Sequence, residues 1–176
     1  YFEFLDQRTF GGMQICDRDQ DGLPVAVSRI ARDPFDPLFD VDRFSEMLMK
    51  RSIEVKKGLL DQHLISGIGN IYADECLWRV GLDGRTPCNR LDRSTAMEIV
   101  TTVTRVMREA FDVGGTSFDA LYVNVNGESG YFSRSLAVYG REGRPCDRCG
   151  DPITRSKFMN RSSFHCTTCQ SPWSLP

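Results

Sequence analysis

Two pairs of cysteines, Cys146 with Cys149 and Cys166 with Cys169, lie 16 residues apart near the end of this chain and constrain its folding more than any other feature. Each C-x-x-C turn can aim two sulfurs at one point, and two such turns close a tetrahedron around one cation. This spacing is that of a four-cysteine zinc site. The enclosed segment is too short to bury a core of its own, so metal ligation is expected to supply much of its folding free energy. Gly150 eases the turn after the first pair. Disulfides or a redox C-x-x-C are the alternatives, and a reducing compartment disfavours both. The expected cofactor is one structural Zn2+. Cys16, Cys76 and Cys88 have no partner by spacing and read as small buried apolar residues.

Composition sets the outer limits. At 176 residues and 40% hydrophobic, the chain can bury one medium core or two small ones. No apolar run approaches the ~20 residues of a membrane span, and the first residues lack the basic and apolar stretches of a signal peptide. A cytoplasmic location is expected. The chain opens on Tyr1 within an alternating pattern, Phe2 and Phe4 about Glu3, so an upstream segment is expected as well.

The net charge of −2 argues weakly against nucleic acid, but its distribution is uneven. Residues 1–45 carry 5 basic and 9 acidic side chains, whereas residues 134–176 carry 7 basic and 3 acidic. A polyanion would therefore lean on the carboxy-terminal end and on local patches such as Lys50-Arg51 and Lys56-Lys57. Either lysine patch reads equally well as a solvated helix face.

Along the chain, residues 1–32 read as short strands and turns, with apolar runs at 1–5, 13–16 and 25–30. Pro34 and Pro37 mark a linker. Phe44, Met47, Leu48 and Arg51 then fall at helical spacing. A longer helix is expected over 94–111, with Val100, Val103, Met107, Ala110 and Phe111 on its buried face. Thr95 and Glu98 fit a capping box at its start, and Gly114-Gly115 fit its stop. Between these helices, residues 67–75 read as a glycine-rich turn, with Gly67 and Gly69, leading into an apolar-periodic helix. Such a turn can present free amides to a phosphate, and it can equally be a plain helical hairpin. Residues 116–133 read as a long loop of the kind that often carries function.

Six segments taken together resemble one family: residues 6–12, 55–75, 114–118, 127–132, 138–141 and 160–166 are similar, in order, to the formamidopyrimidine-DNA glycosylases of bacteria. The resemblance covers nearly the whole chain. It implies an α+β architecture: the last strands of a β-sandwich over 1–32, a helix-two-turn-helix DNA-binding domain over 33–133 with a lesion-capping loop at 116–133, and a zinc-finger β-hairpin over 134–176. It also implies excision of oxidised purines, oxidised guanine and formamidopyrimidines, followed by β,δ-elimination at the abasic site. A base must leave the stack before it can be attacked, which requires a kinked duplex.

Site roles follow from the same resemblance. Arg8 and Phe10 match the residues that enter the vacated space, the arginine toward the orphaned base and the phenylalanine as a wedge. Lys56, Asn70 and Arg51 match contacts to the DNA backbone, and Tyr131 lies in the loop over the flipped base. His63 stands where a lysine is common and reads as a surface residue. Arg161 matches the finger arginine that holds the phosphates about the lesion and assists δ-elimination. The nucleophile of the resemblance is an amino-terminal proline amine, and Tyr1 is not that proline. The chain is expected to be the DNA-binding and zinc-finger part of such an enzyme and inactive by itself. The expected partner is damaged double-stranded DNA, with no membrane, a monomeric state and a place beside the nucleoid. A non-catalytic DNA-binding module is the alternative. A helix-hairpin-helix repair nuclease is a third reading, in which the finger and Arg161 have no place.

Overall fold

The computed structural model describes residues 11–20, 22–114 and 135–170, and the chain divides into two compact units, Tyr1–Ile30 and Ala31–Pro176. In the first unit the described residues form no strand. Asp19 closes a turn by accepting from the Leu23 amide at 2.8 Å, Gly22 takes φ 78° within it, and Arg18 and Pro24 make an isolated bridge. Val25–Val27 is one 3-10 turn rather than the expected strand, and residues 13–16 have no regular structure. Alternating apolar residues make a strand only where a neighbouring strand takes their amides and covers one face. Here Ile15 is fully exposed and Met13 largely so.

Among its described residues the second unit carries four α-helices and a hairpin. Helix α1 (Val41–Met49) is capped by Asp40, whose carboxylate accepts from the Arg43 amide at 2.9 Å, and it buries Phe44 and Leu48. Helix α2 (Val55–Leu59) is one short turn set against residues 84–86, with the Val55 amide donating to Thr86 O and the Lys56 amide to Gly84 O. A Cβ at Gly58 would lie 2.7 Å from Leu48 Cδ1 and 3.3 Å from Cys88 Sγ, so a larger residue there would have to displace the Leu48 side chain. Helix α3 (Asn70–Val80) ends in a Schellman motif, with Gly81 at φ 77° and the Leu82 amide returning to Leu77 O.

Helix α4 (Arg93–Asp112) starts earlier than the sequence suggests. Its cap is Asp92, which accepts from the Thr95 amide at 2.7 Å, so the expected Thr95 and Glu98 capping box does not form. A carboxylate one residue ahead of the first turn reaches the same free amide and settles the start. Val100, Val103, Met107 and Ala110 are buried as expected, but Phe111 is 73% exposed. One residue past Ala110 is a rotation of about 100°, which carries Phe111 off the packed face. Gly114 ends the helix at φ 80°.

Helices α3 and α4 pack against each other, and α1 lies along α4, around Leu48, Leu59, Ile65, Leu77, Ile99 and Val103. Strands β1 (Thr154–Phe158) and β2 (Arg161–His165) form an antiparallel hairpin in which Phe158 faces Arg161 across a two-residue turn of Met159 and Asn160. A second core gathers Val138, Ile153 and Phe164 of this hairpin module around Trp78 of α3. Helix α3 thus belongs to both cores. No helix of the described residues is long and apolar enough to cross a membrane.

Candidate metal centre and nucleic-acid interface

The four cysteine sulfurs converge within 4.8 Å of one another. Cys146 Sγ lies 3.8 Å from Cys169 Sγ, and Cys149 Sγ lies 3.4 Å from Cys166 Sγ. Zinc–sulfur bonds of ~2.3 Å place the corners of a tetrahedron about 3.8 Å apart, so the cluster fits one zinc ion with little movement. The knuckles are built by backbone bonds: the Gly150 amide donates to Cys146 O, and the Cys146 amide to Asp151 O at 2.7 Å. Without a cation the sulfurs oppose one another's ionisation. Burial pushes the Cys169 thiol up to about 12, helped by hydrogen bonds among the sulfurs. Burial also acts upward on Cys146, but N–H groups of Arg148, Cys149 and Trp78 outweigh it and bring that thiol down to about 6. A divalent ion holds all four as thiolates and locks the fold of the knuckles.

Helix α3 fastens this centre to the helical domain. The Glu75 carboxylate is fully buried and accepts from three successive amides, those of Ala137, Val138 and Tyr139, each at 2.9 Å. Asp74 accepts from Ser163 Oγ at 3.1 Å and the Phe164 amide at 3.0 Å. The Trp78 indole N–H donates to Cys146 Sγ at 3.3 Å. Arg148, inside the first knuckle, stacks 4.2 Å from the Trp78 ring centre and donates to Trp78 O and Arg79 O, satisfying carbonyls at the helix end. None of these residues except the cysteines stands out in the sequence. An adjacent acidic pair amid the apolar residues of α3 is the signal that could have found two of them.

The expected nucleic-acid contacts are divided by the structure. Lys56 is fully buried, with Nζ 2.5 Å from Asp74 Oδ1 and 5.0 Å from the centre of the Phe158 ring. Burial pushes its ammonium below the ordinary lysine value; Asp74 opposes this, and nearby Arg161 adds to it. Asp74 is raised by burial, against the pull of Lys56 and of the hydrogen bonds it accepts. In this position its ammonium is engaged by Asp74 inside the protein. Asn70 also turns inward, donating from Nδ2 to Ser162 O at 2.8 Å and tying the start of α3 to the hairpin. Arg51 and Arg161 do come together, lining one cleft with Lys57, and Arg51 is held there by Asp61 at 2.8 Å. His63 is exposed on the surface. Arg8, Phe10, Tyr131 and the loop 116–133 lie outside the described residues.

Residues 30–121 match the family model described as the formamidopyrimidine-DNA glycosylase H2TH domain. The chain belongs to the formamidopyrimidine-DNA glycosylase family. It is 56% identical to the formamidopyrimidine-DNA glycosylase of Streptomyces coelicolor over 169 residues, which are 96% of this chain and 59% of that protein. The corresponding protein of Mycolicibacterium smegmatis is 55% identical over 170 residues, 95% of this chain and 60% of its own length. The chain thus spans somewhat over half the length of these relatives. Among solved structures, MutM (Fpg) from Thermus thermophilus matches with a TM-score of 0.76 at 36% identity, over 81% of this chain and 54% of that one. A complex of Lactococcus lactis Fpg with DNA containing an abasic site matches with a TM-score of 0.74 at 32% identity, over 82% and 52% respectively. The helical domain, hairpin and four-cysteine cluster described above are those of the Fpg fold.

Proposed function

We propose that the chain is the damaged-DNA-binding and zinc-finger part of a base-excision repair glycosylase that removes oxidised purines and then cleaves the abasic site by β,δ-elimination. The observation that carries this reading is the position of Arg161: exposed beside the turn of the metal-anchored hairpin and on one cleft with Arg51. A guanidinium so placed can hold a backbone phosphate in bidentate fashion and stabilise its charge as it leaves in the second elimination. Contacts of this kind fix register without reading sequence, as a search for rare lesions requires. A related structure contains Fapy-dG DNA, in keeping with an oxidised purine as substrate.

On this reading the metal is structural. It holds the hairpin rigid so that Arg161 meets the phosphate already oriented, and α3 transmits that position to the helical domain. The amine that attacks the sugar is none of the described residues. Phe10 as wedge, Arg8 toward the orphaned base and Tyr131 over the flipped base remain part of the proposal, as do a monomeric state and a cytoplasmic place beside the nucleoid.

Binding of the chain to a duplex bearing a tetrahydrofuran abasic analogue, followed by fluorescence anisotropy, tests the reading. Arg161→Ala should weaken binding at least tenfold with the melting temperature unchanged. Equal binding by wild type and variant would remove the basis for the proposal. Borohydride trapping separates the enzyme-part reading from one in which these residues catalyse alone: efficient trapping of the chain on abasic DNA would require a nucleophile among them.

A further inference from the structure

We infer that Lys57, rather than its neighbour Lys56, is the α2 lysine that holds the DNA backbone, in a cleft whose cations take phosphate and whose apolar side chains take the deoxyribose. The inference rests on the chain being a duplex-binding protein, and it assigns a contact that the family motif places one residue earlier.

Successive side chains on a helix point about 100° apart, so two adjacent lysines on one turn cannot serve the same face. Lys56 points under the hairpin, where Asp74 neutralises it and the Phe158 ring covers it. Lys57 points out and has no ion-pair partner among the described residues. It shares its cleft with Arg161, which is likewise exposed and free of an ion pair among the described residues, and with Arg51. Among the described residues the cleft's single carboxylate is that of Asp61, already committed to Arg51 at 2.8 Å. Three cations against one carboxylate leave this lining positive.

The rest of the lining differs in chemistry. Ile53, Leu60 and Met159 supply it, so the cleft sets apolar side chains beside its cations. Among the described residues it offers no amide or hydroxyl side chain of the kind that reads base edges. A sugar–phosphate unit has this same division, an aliphatic ring joined to an anion, and it is the same in every sequence. Met159 is held at φ 53°, a left-handed conformation that non-glycine residues rarely adopt. It places a flexible thioether at the hairpin turn, where it lines the cleft.

The test is the salt dependence of binding, between 50 and 200 mM, to a tetrahydrofuran-containing duplex and to its undamaged counterpart. Each phosphate neutralised contributes about 0.9 to the slope of log affinity on log salt. Lys57→Ala should lose roughly that amount and bind both duplexes roughly three- to tenfold more weakly, and Lys57→Arg should restore both quantities. Lys56→Met should keep the wild-type slope, any weakening following a lowered melting temperature. Lys57→Ala binding with wild-type slope and affinity overturns the inference while leaving the duplex-binding reading intact. So does a folded Lys56→Met variant that loses the unit of slope. Wild-type chain that fails to bind either duplex overturns both.

Discussion

Asp74 and Glu75 are consecutive residues of α3, yet their carboxylates hold different parts of the zinc module, Asp74 the second strand of the hairpin and Glu75 the segment that leads into the first knuckle. Because side chains one residue apart diverge, a single helical turn grips the module at two separated places. The geometry fixes where the hairpin stands relative to α2, and therefore where Arg161 stands.

Glu75→Gln should be among the more damaging single substitutions in the chain. The carboxylate accepts three amides, and the carboxamide must present an N–H to at least one of them. Charge-assisted bonds of this kind and an unmet buried donor together suggest a cost of about 3 kcal/mol. Thermal melts of wild type and variant measure it, and a melting temperature within 1–2 °C of wild type would show that the three bonds contribute little.

Lys56 and Asp74 should behave as a unit. Removing one partner of a buried pair leaves an uncompensated charge and is expected to cost about 3–5 kcal/mol, so Lys56→Met and Asp74→Asn should each be strongly destabilising. The double variant should be less damaged than the sum of the singles, since neither charge remains. A double-mutant cycle from denaturant unfolding gives the coupling directly. Additive effects would mean that the contact at 2.5 Å carries no energy of its own.

Acid should loosen the contact between α3 and α4 through Glu109. Its carboxylate is lowered from the usual glutamate value chiefly by hydrogen bonds from Arg79, at 2.6 and 2.8 Å. A group whose folded pKa is depressed stabilises the fold above its unfolded value and loses that contribution as pH falls through the folded one. The side chain is 43% exposed, so solvent screening limits the effect to less than about 1 kcal/mol. Glu109→Gln should therefore be slightly less stable than wild type at pH 7 and indistinguishable from it at pH 3. A difference that persists at pH 3 would assign the effect to packing.

Freshly purified, reduced chain should contain one zinc ion, and Cys149→Ser or a strong chelator should disorder the hairpin module. Trp78 offers a finer test, because its indole N–H donates to Cys146 Sγ. Hydrogen bonds around ligands commonly change metal affinity by about 10- to 100-fold. Trp78→Phe keeps an aromatic ring and removes the donor, so zinc should pass to a chromogenic chelator roughly tenfold faster. An unchanged transfer rate would leave Trp78 with a packing role alone.

The metal site was legible in the sequence because its ligands are local pairs whose spacing states the geometry. Helices α1, α3 and α4 were legible from their periodicity, although α4 takes Asp92 as its cap, a residue two positions ahead of the expected start, and the single turn of α2 was not. Lys56 and Lys57 could not be told apart, because the inward one is chosen by Asp74 on another helix and by a hairpin that begins far along the chain. Asp74 and Glu75 carry no local signal of their role, because the backbone amides that donate to them come from far along the chain. The apolar alternation near residues 13–16 and 25–30 suggested strands, but alternation describes only one side of a pairing and the described residues supply no partner.

The shared helix α3 also bears on how these proteins can be taken apart. A boundary drawn between residues 114 and 135 divides the sequence into a helical domain and a finger, but part of the finger's interior is written into residues 74–78. A peptide of residues 135–170 would retain its four sulfurs while losing the indole at its centre and the carboxylates that satisfy its amides. Transplanting this finger into another protein would therefore require carrying α3 with it, and the smallest unit that can be exchanged is discontinuous in sequence.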